Sequence, residues 1–159
     1  MTMKIISESV NDTLKLGKLI AKNLHKGDIL CLFGELGCGK TVLTKGIAQG
    51  LGIKSSKIIS PSFVLIREHL KGRLPLYHFD LYRLKDAHDI LALGYEEYLF
   101  DDGVTVVEWA DRLKYLIPKE LLKISLKVTG EKKRSIEISA SGQQYEEMVH
   151  KLKIKRRTV

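Results

Sequence analysis

The chain has 159 residues, enough for one domain with a real core, and no apolar run approaches the roughly 20 residues a membrane-spanning helix needs. Lysine and arginine outnumber aspartate and glutamate 27 to 19, and the resulting +8 suits a nucleic-acid or acidic partner as well as plain solubility. The cysteines, Cys31 and Cys38, have the spacing of neither a zinc knuckle nor a redox motif; with no signal-peptide apolar region in MTMKIISESVND, reduced thiols and a cytoplasmic location are expected.

In chain order, Met3–Ser9 predicts a short strand. A helix follows over Asn11–Leu24, with apolar residues at Leu14, Leu16, Leu19, Ile20 and Leu24 and with Asn11 or Asp12 as N-cap. Thr13 lies in its first turn and either caps it or contacts a nucleotide, since this helix leads straight to the next strand. That strand is DILCLF, Asp28–Phe33. After it comes GELGCGKT, Gly34–Thr41, which fits the phosphate-binding pattern G-x-x-x-x-G-K-[ST]. A helix over Thr41–Leu51 completes the strand, glycine-rich loop and helix that the motif requires.

The residue types in this loop dictate its chemistry. Gly34, Gly37 and Gly39 let backbone N–H groups approach phosphate oxygens. The start of the helix adds free N–H groups and a positive dipole end. Lys40 can reach β- and γ-phosphates, and the Thr41 hydroxyl can ligate Mg²⁺. Gly34, Glu35, Leu36, Gly37, Cys38, Gly39, Lys40, Thr41 and Val42 are therefore the candidate nucleotide contacts. Cys38 either fills a small-residue slot or is a reactive thiol at a helix start.

Beyond the loop, Ser60-Pro61-Ser62 predicts a rigid bend before a strand at Phe63–Ile66. A hydroxyl-rich loop here is where nucleotide-sensing switches sit in P-loop proteins, and by itself it is a turn. KGRLP predicts a hairpin turn. Leu76–Leu84 predicts an alternating strand with Asp80 and His78 on one face. Asp80 needs a cation or solvent: Mg²⁺ or Lys40 would serve, or an exposed face with Arg83 or Arg67. His78 is expected to be a surface or packing residue.

Asp86–Asp102 predicts helix, broken at Gly94. Gly103–Trp109 is an apolar strand ending in Glu108, as P-loop proteins place the carboxylate that holds Mg²⁺; Trp109 either packs or shapes the γ-phosphate pocket. A short helix over Ala110–Pro118, an antiparallel hairpin of Leu121–Val128 and Arg134–Ala140 at a sheet edge, and a terminal helix over Gln143–Lys153 finish the chain. The expected fold is α/β: a P-loop NTPase-type, mainly parallel sheet flanked by helices, with antiparallel edge strands. Residues 1–152 form one domain, and 153–159 a basic tail that is solvated or frayed, or that contacts RNA.

With GELGCGKT, SPSF, YHFDLYRL and VVEWADRL in this order, the chain from Thr13 to Arg134 resembles the TsaE (YjeE) family, the P-loop ATPase of bacterial tRNA threonylcarbamoyladenosine synthesis. The resemblance implies that Gly37–Thr41 bind ATP phosphates, with Thr41 on Mg²⁺. Glu108 matches the Mg²⁺-associated acid, and Asp80 a second carboxylate important for hydrolysis. Ser60–Phe63 matches a switch-like loop, and Trp109, Thr13 and Arg134 match residues near the nucleotide. Cys38 departs from the usual alanine, and Ser62 from the usual threonine with its hydroxyl kept. The resemblance also implies TsaD and TsaB as partners, which modify adenosine 37 of ANN-decoding tRNAs, with this chain as ATPase rather than transferase.

Hydrolysis by the isolated chain should be slow, because the sequence shows no arginine-dense lid and no arginine finger in cis. A small P-loop metabolite kinase and a nucleotide-gated RNA-binding module are the alternatives that the residues leave open.

Overall fold

Strand β1, Thr2–Ser7, buries every second residue, Met3, Ile5 and Ser7, as alternation requires. The computed structural model describes residues 1–59, 65–99 and 102–157. Helix α1, Val10–Ala21, begins one residue before the predicted Asn11 and ends three residues before the predicted Leu24. Its N-cap is Ser9, not Asn11 or Asp12: the Ser9 hydroxyl accepts the Asp12 N–H at 3.0 Å. Such a cap contributes about 1 kcal/mol. The Asp12 carboxylate instead accepts the Glu8 N–H at 3.0 Å.

Strand β2, Ile29–Phe33, and helix α2, Lys40–Gly50, flank the glycine-rich loop as expected. Strands β3, Ile66–His69, and β4, Leu76–Asp80, form the predicted hairpin. Of the strand expected at Phe63–Ile66, only Ile66 joins β3 among the described residues. Strand β4 stops at Asp80 rather than continuing to Leu84, because the Asp80 carboxylate accepts the Tyr82 N–H at 3.0 Å and turns the chain.

Helix α3, Ala87–Ala92, is capped by Asp86, and Gly94 breaks the predicted helix before a 3₁₀ turn at Tyr95–Glu97. Strand β5, Val104–Glu108, is buried throughout. Ala110–Leu116 is a 3₁₀ segment, interrupted at Lys114 by a left-handed φ of 51°. Strands β6, Leu121–Val128, and β7, Arg134–Ser141, pair antiparallel. Helix α4, Gln143–Arg157, continues through the basic residues expected as a tail, with Lys155 Nζ 3.3 Å from Asn23 Oδ1.

These strands make one 7-stranded sheet in the order β1-β7-β6-β2-β5-β4-β3. Its centre, β6-β2-β5-β4, is parallel, and the outer pairings are antiparallel. The β6–β7 hairpin is therefore not an edge: β6 joins the parallel core and β1 covers β7. One face, with Leu30, Leu32 and Val106, packs under α1, α2 and α4; the other, with Ile29, Cys31 and Phe79, packs under α3 and the 3₁₀ segments. Helices α1 and α2 touch backbone to backbone. A Cβ on Gly17 would lie 2.6 Å from the Leu43 carbonyl oxygen, so only glycine permits this approach. Tyr145 of α4 ties the layers together, its hydroxyl accepting the Ile29 N–H at 2.8 Å.

Candidate functional site

The loop between β2 and α2 turns on glycine. Gly34 has φ 143°, and a Cβ there would meet the Leu126 carbonyl oxygen at 2.5 Å and Cys38 Sγ at 2.6 Å. Gly39 precedes α2 without any capping side chain, so the first N–H groups of the helix are left for an anion. Lys40 is 4 % exposed and folds back onto its own loop. Its Nζ donates to the carbonyls of Gly34 at 2.5 Å and Glu35 at 3.0 Å, and lies 4.1 Å from the centre of the Trp109 ring. The loop thus wraps the ammonium group in carbonyls, and its Cys38 N–H donates to the Glu35 carbonyl at 3.2 Å.

Strand pairing brings the two acids together. Asp80 and Glu108 are register partners on neighbouring parallel strands and share the face beneath α2. Glu108 is 2 % exposed and held by donors on both oxygens. Thr41 Oγ1 lies 3.0 Å from Oε2; His78 Nε2 at 2.8 Å and Thr44 Oγ1 at 3.1 Å lie against Oε1. Asp80 is 3 % exposed, which rules out the exposed-face alternative. His78 is fully buried and bonded to an acid, so the surface reading is wrong and the packing reading is incomplete. The cause is burial on both faces of β4, a central position that alternation in a single strand does not reveal.

Immediately after Glu108 the chain adopts a left-handed conformation at Trp109, φ 58° and ψ 43°. A non-glycine residue held there stores strain of about 1–3 kcal/mol. The turn lays the Trp109 ring over Lys40 and beside Tyr82, with ring centres 4.9 Å apart.

A cleft of ≈ 440 Å³ is lined by Leu36, Gly37, Gly39, Lys40, Thr41, Val42, Asp80, Glu108 and Trp109, together with Tyr82 and Arg83. Arg83 thus lines the cleft on the side of Asp80 and Tyr82. A second cavity, ≈ 430 Å³, lies on the other side of the loop. It is lined by Thr13, Gly37, Gly39, Val42 and Arg134 among others.

Arg134 reaches the loop directly: Nε donates to the Cys38 carbonyl at 3.1 Å and Nη2 to that of Gly37 at 3.4 Å. The Thr13 hydroxyl is 2.7 Å from that of Ser7. Leu36 stands at the loop tip, 74 % exposed. Cys38 is 1 % exposed with its sulfur turned inward, which favours the space-filling reading of its thiol. Ser62 lies outside the described residues. A larger cavity, ≈ 520 Å³, lies elsewhere between Ile6, Lys15, Leu19 and Lys155, and neither Glu108 nor the glycine-rich loop lines it.

Sequence reasoning missed Thr44, three residues beyond Thr41 on the helix face that meets β5. The one-turn spacing of the two hydroxyls was the available signal.

The donor set suits a hard cation. Thr41 offers a hydroxyl, and Glu108 and Asp80 offer carboxylates, the oxygen ligands that Mg²⁺ takes. Among the described residues no three His, Cys, Asp or Glu side chains gather into a metal cage.

A family model described as threonylcarbamoyl adenosine biosynthesis protein TsaE matches residues 7–136. The chain belongs to the TsaE family. A Bacillus subtilis TsaE, named as a tRNA threonylcarbamoyladenosine biosynthesis protein, is 43 % identical over 142 residues, 89 % of this chain and 87 % of that protein. A Treponema pallidum TsaE of the same name is 38 % identical over 137 residues, 86 % of this chain and 100 % of its own. The crystal structure of Bacillus subtilis YdiB superposes with a TM-score of 0.86 at 36 % identity, covering 98 % of this chain and 97 % of that one. The α/β fold with its parallel centre is thus shared with a solved structure. The matched segment, residues 7–136, spans the glycine-rich loop, both acids, Trp109 and Arg134.

Proposed function

We propose that this protein binds ATP and hydrolyses it slowly with Mg²⁺, and that nucleotide-driven conformational change acts on a TsaB–TsaD complex during tRNA threonylcarbamoyladenosine formation. The names of its relatives support a role in that pathway. The observation that carries the ATPase reading is the Thr41–Glu108 contact. It joins the hydroxyl at the helix start to the acid at the strand end, 67 residues apart in sequence, at 3.0 Å.

In this reading the phosphates lie on the N–H groups of Gly37–Thr41, and Lys40 leaves the Gly34 and Glu35 carbonyls to meet them. Thr41, Glu108 and Asp80 hold Mg²⁺, which would neutralise charge on the phosphates. Val42, Thr13 and Arg134 lie on the flank open to the rest of the nucleotide. Trp109 shields the buried charges from water. The expected setting is the cytoplasm, and no helix among the described residues is long and apolar enough to cross a membrane.

The test is phosphate release by the chain alone and with TsaB–TsaD, alongside tRNA modification over many turnovers. Release accelerated by the partners, with modification that requires this chain, is the expected result. A phosphorylated metabolite would favour the kinase alternative, and modification indifferent to this chain would overturn the proposal.

A further inference from the structure

Glu108 is buried, so its charge depends on donors supplied by the protein. The donors are not equivalent. Thr44 has one hydroxyl proton, and the Lys40 carbonyl, 3.0 Å away, competes for it. Thr41 is half-buried at the cleft and belongs to the proposed metal shell, so its hydroxyl is the donor that a cation would compete for. Among the described residues His78 has no other hydrogen-bond partner. Its ring is 0 % exposed, Nε2 is 2.8 Å from Glu108 Oε1, and Nδ1 meets no partner among the described residues. An ionised carboxylate only accepts, so Nε2 carries the proton and donates it.

An unpartnered buried nitrogen is a cost that packing alone does not require, since a leucine would fill the slot without it. The strand register explains the reach. His78 lies opposite Val106, and Asp80 opposite Glu108, so His78 and Glu108 are diagonal neighbours on one face.

We propose that His78 is a positioning residue: its Nε2–H pins Glu108 Oε1, so that Oε2 stays aimed at Thr41 and the cation site. The inference rests on the Mg–ATP reading. A partner that orients a metal-binding carboxylate without touching the metal typically accounts for 10- to 100-fold in metal affinity.

The experiment is a Mn²⁺ titration followed by electron paramagnetic resonance, with a non-hydrolysable ATP analogue. It uses the wild type, His78→Leu and His78→Gln, with nucleotide affinity measured separately in EDTA and folding checked by thermal melting. His78→Leu should weaken nucleotide-dependent Mn²⁺ binding roughly 10- to 100-fold and leave metal-free nucleotide binding unchanged. His78→Gln, whose amide nitrogen can stand where Nε2 does, should recover most of the loss.

Unchanged Mn²⁺ affinity in folded His78→Leu, or a glutamine variant as weak as the leucine one, would overturn the proposal. Should the leucine variant not fold, the glutamine variant decides: near-wild-type affinity supports the pin, and a tenfold loss refutes it. A wild type without nucleotide-dependent Mn²⁺ binding would instead bring down the Mg–ATP reading itself.

Discussion

Strands β4 and β5 are buried on both faces, yet the two faces obey different rules. Toward α3 they present Tyr77, Phe79 and Val107, with aromatic rings in edge contacts: Phe79 to Tyr98 at 5.3 Å and to Tyr95 at 6.4 Å. Toward α2 they present apolar Leu76, Val104 and Val106 and then, at the strand ends, His78, Asp80 and Glu108, each 3 % exposed or less. The apolar face holds the sheet together through volume and area, and any side chain of similar shape serves it. The polar face carries buried charge that stays satisfied only while every donor keeps its place. Adjacent residues of one strand therefore separate stability from function.

The largest effect to expect is on the apolar face. Phe79→Ala empties a fully buried site and should destabilise the protein by about 3–5 kcal/mol, read from denaturant or thermal unfolding. Nucleotide affinity below the melting transition should not change; a selective loss of nucleotide binding would break the division between faces.

Next comes the polar face. Glu108→Gln keeps the shape but places an amide N–H₂ against donors from Thr41 or His78. Mg²⁺-dependent hydrolysis should fall roughly 100-fold, about 2.7 kcal/mol in the barrier, while nucleotide binding in EDTA persists. Unaltered Mg²⁺ dependence would make Asp80 the better metal ligand.

The smallest effect lies where the polar face meets the edge strand. His69 is held below the ordinary imidazole value of 6.5, first by burial and then by nearby charges, those of Arg67 and Lys57 among them. As pH falls through 6.5 the unfolded chain takes up this proton before the folded one does, so stability falls. His69→Gln should flatten the slope of melting temperature against pH between about 7 and 5. An unchanged slope would show that His69 is not what titrates.

What was legible in the sequence was local. The glycine-rich loop, its flanking strand and helix, and the acid ending β5 are each written within a dozen residues, and the structure has all of them. The alternation of β6 and β7 predicted their hairpin but not its place in the sheet, because the pairing of β1 with β7 joins Thr2–Ser7 to a strand more than a hundred residues away. Ser9 as the cap of α1 was missed because Asn11 and Asp12 are equally good capping types, and only the backbone decides which oxygen faces the free N–H groups.

His78 was misjudged for a related reason. A lone histidine in a strand carries no pattern, and its partner Glu108 becomes a neighbour only through the register of β4 with β5. Thr44 needed the same register from the helix side. The left-handed turn at Trp109, which lays the ring over Lys40, has no sequence signature at all.

The claim on which everything else depends is that the Gly34–Thr41 loop holds the phosphates of ATP. Calorimetric titration of ATP into the wild type and Lys40→Ala tests it most directly. A hydrogen bond to a charged group contributes about 1.5–3 kcal/mol, so the alanine variant should bind ATP roughly 10- to 100-fold more weakly while melting cooperatively. Equal affinity of the two folded proteins for ATP would contradict the account.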